Sequence, residues 1–347
     1  MNFLIYGAYG YTGDLIAREA AARGITPILA GRDAEKTRSI AEELGLDYRA
    51  FSLDDTEQLD EVLDEVGFVI HCAGPFSITA TPMVEACLRT GTHYLDITGE
   101  IAVFEAMAAL DEKAKQAGIM VMPGVGFDVV PTDSLARHLS NEMPDAEDLT
   151  LAFYGLGRIS HGTQRTMTMN VGRGGAIRSD GEITPVPAAW KTREIDFGEV
   201  KKEGVTIPWG DVSTAFYTTG IPNIKVFTVM PDAQMRMLRL SNYIGWLLAT
   251  SPVQAILQSQ IPEGGPSLEE REKGKTYLWG RVTNNEGEAK EARLFGPEGY
   301  KFTMLTALMI AERIMSGEHC VGFQTPAGCY GADMVLEIEG VKREDAR

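Results

Sequence analysis

The chain has 347 residues, 44% hydrophobic and 23% charged, the composition of a packed globular protein and not of a disordered or fibrous one. Lys and Arg total 32 against 49 Asp and Glu, a formal charge of −17, so the averaged field repels polyanions and nucleic acid is not an expected partner. The length favours two domains over one.

The amino terminus, Met1-Asn2-Phe3-Leu4-Ile5-Tyr6, enters a strand pattern at once, without a basic segment, apolar stretch and cleavage site, so no secretory signal is expected. Short apolar runs then alternate with longer helical patterns as far as residue 130, which is how a parallel sheet with crossover helices reads. Strands are predicted at Phe3 to Tyr6, Thr26 to Ala30, Tyr48 to Ser52, Phe68 to His71, His93 to Asp96 and Ile119 to Met122. Between them, Asp33 before Ala34-Glu35-Lys36 and Asp55-Thr56 before Glu57-Gln58-Leu59 put short polar side chains where free helix amides need caps. Residues 1–130 therefore read as a Rossmann-type, doubly wound α/β domain.

After Pro131 glycine and proline become frequent, and residues 131–298 read as a second, α+β domain with a mixed or antiparallel sheet. Its predicted pieces are a strand from Leu149 to Tyr154, a helix from Thr163 to Val171, a strand pattern around Val205 to Gly210, and a hairpin joining Thr276–Val282 to Ala289–Leu294. The apolar stretch Tyr243 to Thr250 is broken by Ser251-Pro252. It falls short of the roughly 20 residues a bilayer span needs, so it reads as a buried or interfacial helix and no integral membrane span is expected. A helix from Tyr300 to Met315 opens a carboxyl-terminal section, 299–347, expected to return to the first domain. Cys72, Cys87, Cys320 and Cys329 show no C-x-x-C spacing and read as reduced thiols of a cytoplasmic protein.

The chemistry concentrates at predicted strand ends. Gly7-Ala8-Tyr9-Gly10-Tyr11-Thr12-Gly13 follows a buried strand and opens a helix at Thr12, the context in which glycines cradle a nucleotide pyrophosphate. Gly7 permits the turn, Gly10 the close approach of phosphate, and Gly13 the packing of helix on strand; the alternative is a glycine set that only turns the chain. The second strand ends in Leu29-Ala30-Gly31-Arg32, an Arg where an NAD enzyme places an acid, which points to the 2′-phosphate of NADP in preference to NAD; the alternative is an Arg that only caps the strand end in solvent. Cys72-Ala73-Gly74-Pro75, at the end of the fourth strand, reads either as a turn suited to lie under a nicotinamide or as a tight turn with no ligand. Asp128 and Asp133 follow the sixth strand, Asp133 reading as a helix cap. Ser160-His161-Gly162-Thr163-Gln164-Arg165 groups a His, hydroxyls and an Arg at a helix start, either a grip on a polar substrate or a plain cap by Thr163. His71, His93, His138 and His319 lack partners at ligand spacing, so no metal is expected.

Taken together, Gly7 to Gly13, Ala30-Gly31-Arg32, Cys72 to Phe76, Gly91 to Glu100 and Pro123 to Asp128 resemble the saccharopine dehydrogenase-like oxidoreductases. Gly162-Thr163, Gly265-Pro266-Ser267, Leu278-Trp279-Gly280, Pro297 to Tyr300 and Thr325 to Gly328 look more like the bacterial branch that includes the trans-acting enoyl reductases. The resemblance implies an NAD(P)-binding Rossmann domain, a mixed second domain inserted before a carboxyl-terminal helix, and an active site in the cleft between them. The expectation is an NADP-dependent oxidoreductase moving hydride to or from a C=C or C=N bond of a small or acyl substrate. Asp128, His161 and Arg165 would orient substrate or transfer a proton, and a homodimer would form through the second domain's sheet. The alternative is an inactive NADP-binding regulatory or scaffold protein.

Overall fold

The computed structural model describes residues 2–155, 157–262 and 264–346; Met1 and Arg347, the outer limits of the expected domains, lie outside them. In chain order the elements begin β1 (Phe3–Tyr6), α1 (Tyr11–Ala22), β2 (Ile28–Gly31), α2 (Ala34–Leu44), β3 (Tyr48–Ala50), α3 (Thr56–Asp64), β4 (Phe68–His71), α4 (Phe76–Thr90), β5 (His93–Asp96), α5 (Ile101–Ala108), α6 (Asp111–Ala117) and β6 (Met120–Met122). There follow α7 (Val130–Glu142), β7 (Asp148–Tyr154), α8 (His161–Asn170), β8 (Gly175–Ser179), β9 (Glu182–Val186), β10 (Thr192–Asp196), β11 (Lys201–Thr206), α9 (Asp211–Thr219) and β12 (Asn223–Thr228). The remainder is α10 (Asp232–Leu248), α11 (Ser251–Ser259), α12 (Leu268–Lys273), β13 (Lys275–Thr283), β14 (Ala289–Pro297), α13 (Gly299–Met315), β15 (Gly322–Phe323), α14 (Pro326–Tyr330) and β16 (Lys342–Ala346). The chain divides into two units, one of residues up to Asp128 with Tyr300–Cys329, the other of Val129–Gly299 with the residues from Tyr330 on.

In the first unit a parallel sheet runs β15-β6-β5-β4-β1-β2-β3. Its central strands β1, β2, β4 and β5 are buried along their whole length, which is why they read in sequence as short, mainly apolar runs, with His71, His93 and Asp96 at strand ends. Phe3 and Phe68 stack with centroids 4.6 Å apart across neighbouring strands. The chain leaves β1 toward β2 and, after β3, returns to lay β4 on its other side, so a crevice opens at the carboxyl ends of β1 and β4. From the carboxyl-terminal part, α13 locks the loop after β6: the Phe127 amide donates to Thr303 Oγ1 at 3.0 Å and the Thr306 hydroxyl to the Val125 carbonyl at 2.8 Å.

The second unit holds a mixed sheet, β10-β11-β12-β7-β13-β14-β16, with β8 and β9 attached beside β12. Only β12 and β7 run parallel among its pairings in the described residues. The anticipated hairpin forms β13 and β14, in register from Lys275↔Pro297 to Thr283↔Ala289.

Four expectations need correction. The tail does not all return to the first unit: β16 pairs with β14 in the second sheet, and its sequence, Lys-Arg-Glu-Asp-Ala, carries no apolar alternation because it is an edge strand. Cys320 and Cys329 form a disulfide with Cα atoms 6.1 Å apart, leaving Cys72 and Cys87 as the free thiols; a separation of nine residues gave no motif to read. Asp133 does not cap α7, which starts behind Val129; it is buried and accepts the Thr218 hydroxyl of α9. Finally, α8 starts at His161 under a Ser160 cap, ahead of Thr163. Of the two readings of the apolar segment after Tyr243, buried or interfacial, its exposure in α10 excludes the buried one. Among the described residues no helix is long and apolar enough to cross a membrane.

Gly155, at the end of β7, sits at φ +99°, where an added Cβ would run into the Lys275 carbonyl at the start of β13. Gly155→Ala is expected to lower the unfolding free energy by about 1–3 kcal/mol in urea denaturation, since the backbone conformation and the contact both oppose a side chain.

Candidate cofactor site

The loop after β1 is tied down by its own backbone. The Gly7 and Ala8 amides both donate to the Ala30 carbonyl, at 2.8 and 3.1 Å, and the Gly10 amide closes a tight turn onto Gly7 O at 2.9 Å. Gly7 stands at φ +85°, and a Cβ there would lie 2.8 Å from the Ala73 nitrogen, so the loops after β1 and β4 meet without room for a side chain. A Cβ at Gly13 would collide with the Gly7 carbonyl, which brings α1 close against the loop. The N-cap of α1 is Gly10 and no side chain caps the helix, so the positive end of its dipole faces outward from the loop. Such a helix start fits a pyrophosphate.

At the end of β2, Arg32 is exposed and has no hydrogen bond or ion pair among the described residues. The acid beside it is occupied: Asp33 caps α2 by accepting the Lys36 amide at 3.1 Å. Lys36 Nζ stands 5.9 Å from the centroid of the Tyr9 ring, and that ring covers Gly31 so closely that a Cβ at Gly31 would be 2.5 Å from Tyr9 Cε1. Lys36, whose Nζ also stands 3.8 Å from Asp33 Oδ2, is a second cation of the segment after β2 that sequence reading passed over; its place three residues after the Asp33 cap was the available signal.

The turn after β4 rests on His71 and Thr79. The Thr79 hydroxyl donates its single proton to Ala73 O at 2.6 Å, so His71 Nε2, 3.0 Å away, must be the donor to Thr79 Oγ1. His71 Nδ1 is then a buried acceptor with no partner, and burial pushes the imidazole pKa down to about 3, keeping it neutral. Cys72 donates its amide to Tyr6 O at 2.7 Å, and burial, with Asp96 nearby, pushes its thiol up, so it is no nucleophile at neutral pH. Ala73, Gly74 and Pro75 follow, the Gly74-Pro75 peptide being cis. Pro75 brings no capping side chain to α4; Glu100 does so from the loop after β5, accepting the Phe76 amide at 2.8 Å and the Ser77 amide at 3.3 Å.

Asp96 holds that neighbouring loop. One oxygen accepts the amides of Thr98 and Gly124 at 2.9 and 2.8 Å, the other the Tyr94 hydroxyl at 2.6 Å, yet full burial still raises its pKa to about 6. Four residues beyond Gly124, Asp128 lies half-buried against Gly99, where a Cβ would be 2.5 Å from its Oδ2. It has no hydrogen bond among the described residues, and desolvation alone raises its pKa to about 7. Gly99 adjoins Glu100, the cap of α4, so contacts link Asp128 to the Cys72–Pro75 turn.

His161 and Arg165 belong to the second unit. Ser160 caps α8 through the Thr163 amide at 3.3 Å, the His161 amide donates to Gly264 O, and Arg165, one turn on, has a buried Nε without a hydrogen-bond partner.

Residues 3–122 match the family described as Saccharopine dehydrogenase NADP binding domain. Over 218 residues the chain is 27% identical to the Saccharopine dehydrogenase-like oxidoreductase of Mus musculus, covering 57% of this chain and 46% of the relative. Over 140 residues it is 34% identical to the Trans-acting enoyl reductase of Mycobacterium leprae (strain TN), covering 38% of this chain and 34% of that protein. The chain thus spans about half or less of the length of these relatives. Among solved structures, the apo saccharopine dehydrogenase (L-Glu forming) of Saccharomyces cerevisiae shares the fold, with a TM-score of 0.68 over 100% of both chains at 13% identity. The resemblance read from the motifs agrees with these matches.

Burial opposes ionisation of Asp128 and Asp96, so between about pH 4, where an unfolded Asp titrates, and their raised values the folded chain holds protons that the unfolded chain has released. Their contribution to stability therefore falls as pH rises through that window. Asp128→Asn removes one share: the variant should gain in urea midpoint relative to the wild type between about pH 5 and pH 7.5. A midpoint difference that does not change with pH contradicts the raised pKa.

Proposed function

We propose that the chain is an NADP-dependent oxidoreductase that transfers a hydride between nicotinamide C4 and a C=C or C=N bond of a small or acyl substrate. The observation that carries the reading is the pairing of an uncapped helix start behind Gly10 with an unpartnered guanidinium at Arg32, in a chain whose net charge is −17. Both features suit an anionic dinucleotide, against the overall charge. The name of the M. leprae relative, an enoyl reductase, favours a C=C bond of an acyl substrate.

The bound cofactor would supply the hydride chemistry. In the reading, Gly7, Gly10, Tyr11, Thr12 and Gly13 hold the pyrophosphate, Arg32 with Lys36 pairs with the ribose 2′-phosphate, and Tyr9 packs beside them over Gly31. Cys72, Ala73, Gly74 and Pro75 flank the nicotinamide. Hydride addition to a double bond also requires a proton at the other atom. Asp128, with a pKa near 7, can hold one at neutral pH and release it. His161 and Arg165 orient the substrate.

Fluorescence titration tests the cofactor assignment. The wild type should bind NADPH more tightly than NADH, and Arg32→Ala should weaken NADPH by about tenfold or more, the worth of a charge-assisted hydrogen bond, while leaving NADH unchanged. Equal affinities for both, unaffected by the substitution, contradict the role of Arg32. With NADPH and a panel of enoyl and imine substrates, Asp128→Asn should lower kcat by about 10²- to 10⁴-fold at unchanged NADPH affinity. An unchanged kcat assigns the proton to another group.

A further inference from the structure

Helix α10 is fixed to the second unit by one face and turns an apolar face to solvent. Met235, Ser241 and Gly245 are buried; Gly245 packs backbone to backbone on Gly172; and the Asn242 amide group accepts from Ala188 N at 2.7 Å and donates to Ala188 O at 3.0 Å. Away from those contacts Arg236, Leu240, Tyr243 and Leu247 succeed one another at four-, three- and four-residue steps and form one stripe. Tyr243 is 80% exposed, and Trp246 and Met237, beside the stripe, are 76% and 71% exposed. Leu240, Leu247 and, in α11, Ile256 are exposed as well. Charge is distributed just as unevenly. Residues 233–262 contain Arg236 and Arg239 and no Asp or Glu, in a chain with 49 acids among 347 residues.

We propose that α10 and α11 form a docking surface for an anionic lipid–water interface, a site independent of the cofactor crevice. An outward face of Leu, Met, Tyr and Trp bordered by Arg is the composition of a helix that lies in the plane of a membrane surface, its aromatic rings at headgroup depth and its guanidinium groups on lipid phosphates. With 17 residues and two Arg, α10 is too short and too polar to cross a bilayer. The shortage of acids decides between this occupant and a second copy of the chain: α10 carries one, Asp232 at its first residue, and residues 233–262 carry none. Two such faces pressed together would bury Arg236 and Arg239 with no carboxylate from residues 233–262 to meet them, whereas an anionic lipid surface supplies the counter-charge.

Vesicle flotation of the full chain tests the proposal, with vesicles of phosphatidylcholine alone and of phosphatidylcholine mixed with phosphatidylglycerol. The wild type should float with the mixed vesicles and not with the neutral ones, and added salt should weaken its binding. Tryptophan emission should shift to shorter wavelength on binding, a shift lost in Trp246→Phe. The combined change Leu240→Ser, Tyr243→Ser and Leu247→Ser, at exposed positions, should abolish flotation at an unchanged circular dichroism spectrum, and Arg236→Gln and Arg239→Gln should each weaken it about fivefold. Failure of the wild type to float, equal flotation on both vesicles, or flotation indifferent to the triple substitution overturns the proposal. Self-association in solution that the triple substitution abolishes also overturns it, by assigning the face to a second copy.

Discussion

The backbone contact between Gly7 and Ala73 is the constraint on which the first unit's site depends. It joins the loops that leave β1 and β4, the two strands flanking the point where the sheet order reverses. With the Gly7 and Ala8 amides already spent on the Ala30 carbonyl, the loop is held from the β2 side as well. A side chain at Gly7 would push the loops apart and swing the start of α1 away from the crevice. The positive φ, the missing Cβ and the missing capping side chain at Gly10 are three consequences of one requirement, that backbone amides present themselves where no side chain intervenes.

Around that contact the chain uses its acids as structural fasteners. Asp33 caps α2, Glu100 caps α4, and Asp96 gathers three donors, from β5, the loop after it and the loop after β6. Each is drawn inward by amides or hydroxyls and so kept out of the crevice. The other arginines of the first unit are paired, Arg18 with Asp14 and Glu43 and Arg89 with Asp60 among them, while Arg32 stands at the end of β2 with its acid neighbour turned to capping. In so acidic a chain an unpaired guanidinium at that position is the local exception. Asp128 is the acid that no donor satisfies, and its raised pKa follows from that isolation.

Much of this was legible before any coordinates. Most of strands β1 to β6 could be read because buried parallel strands are largely apolar runs, and the Gly7–Gly13 loop and Arg32 because they sit at strand ends, where ligands of such sheets bind. What escaped reading lacked a periodic or local signature. β15 has two residues in a Gly- and Pro-rich tail, and β16 is a polar edge strand. Glu100 acts on amides more than twenty residues earlier, and the Cys320–Cys329 bond depends on the path of the tail after α13. Asp128 was named from its place after a strand, but only its burial and its contact with Gly99 give a reason for it to hold a proton.

Hydrogen–deuterium exchange of the full chain with and without NADPH tests the central claim most directly. Exchange should slow in peptides covering residues 7–14 and 72–77, because the amides at the start of α1 and in the turn after β4 would then be covered by the dinucleotide. Unchanged exchange in both segments at saturating NADPH, or protection confined to other parts of the chain, contradicts the assignment of the cofactor to this crevice.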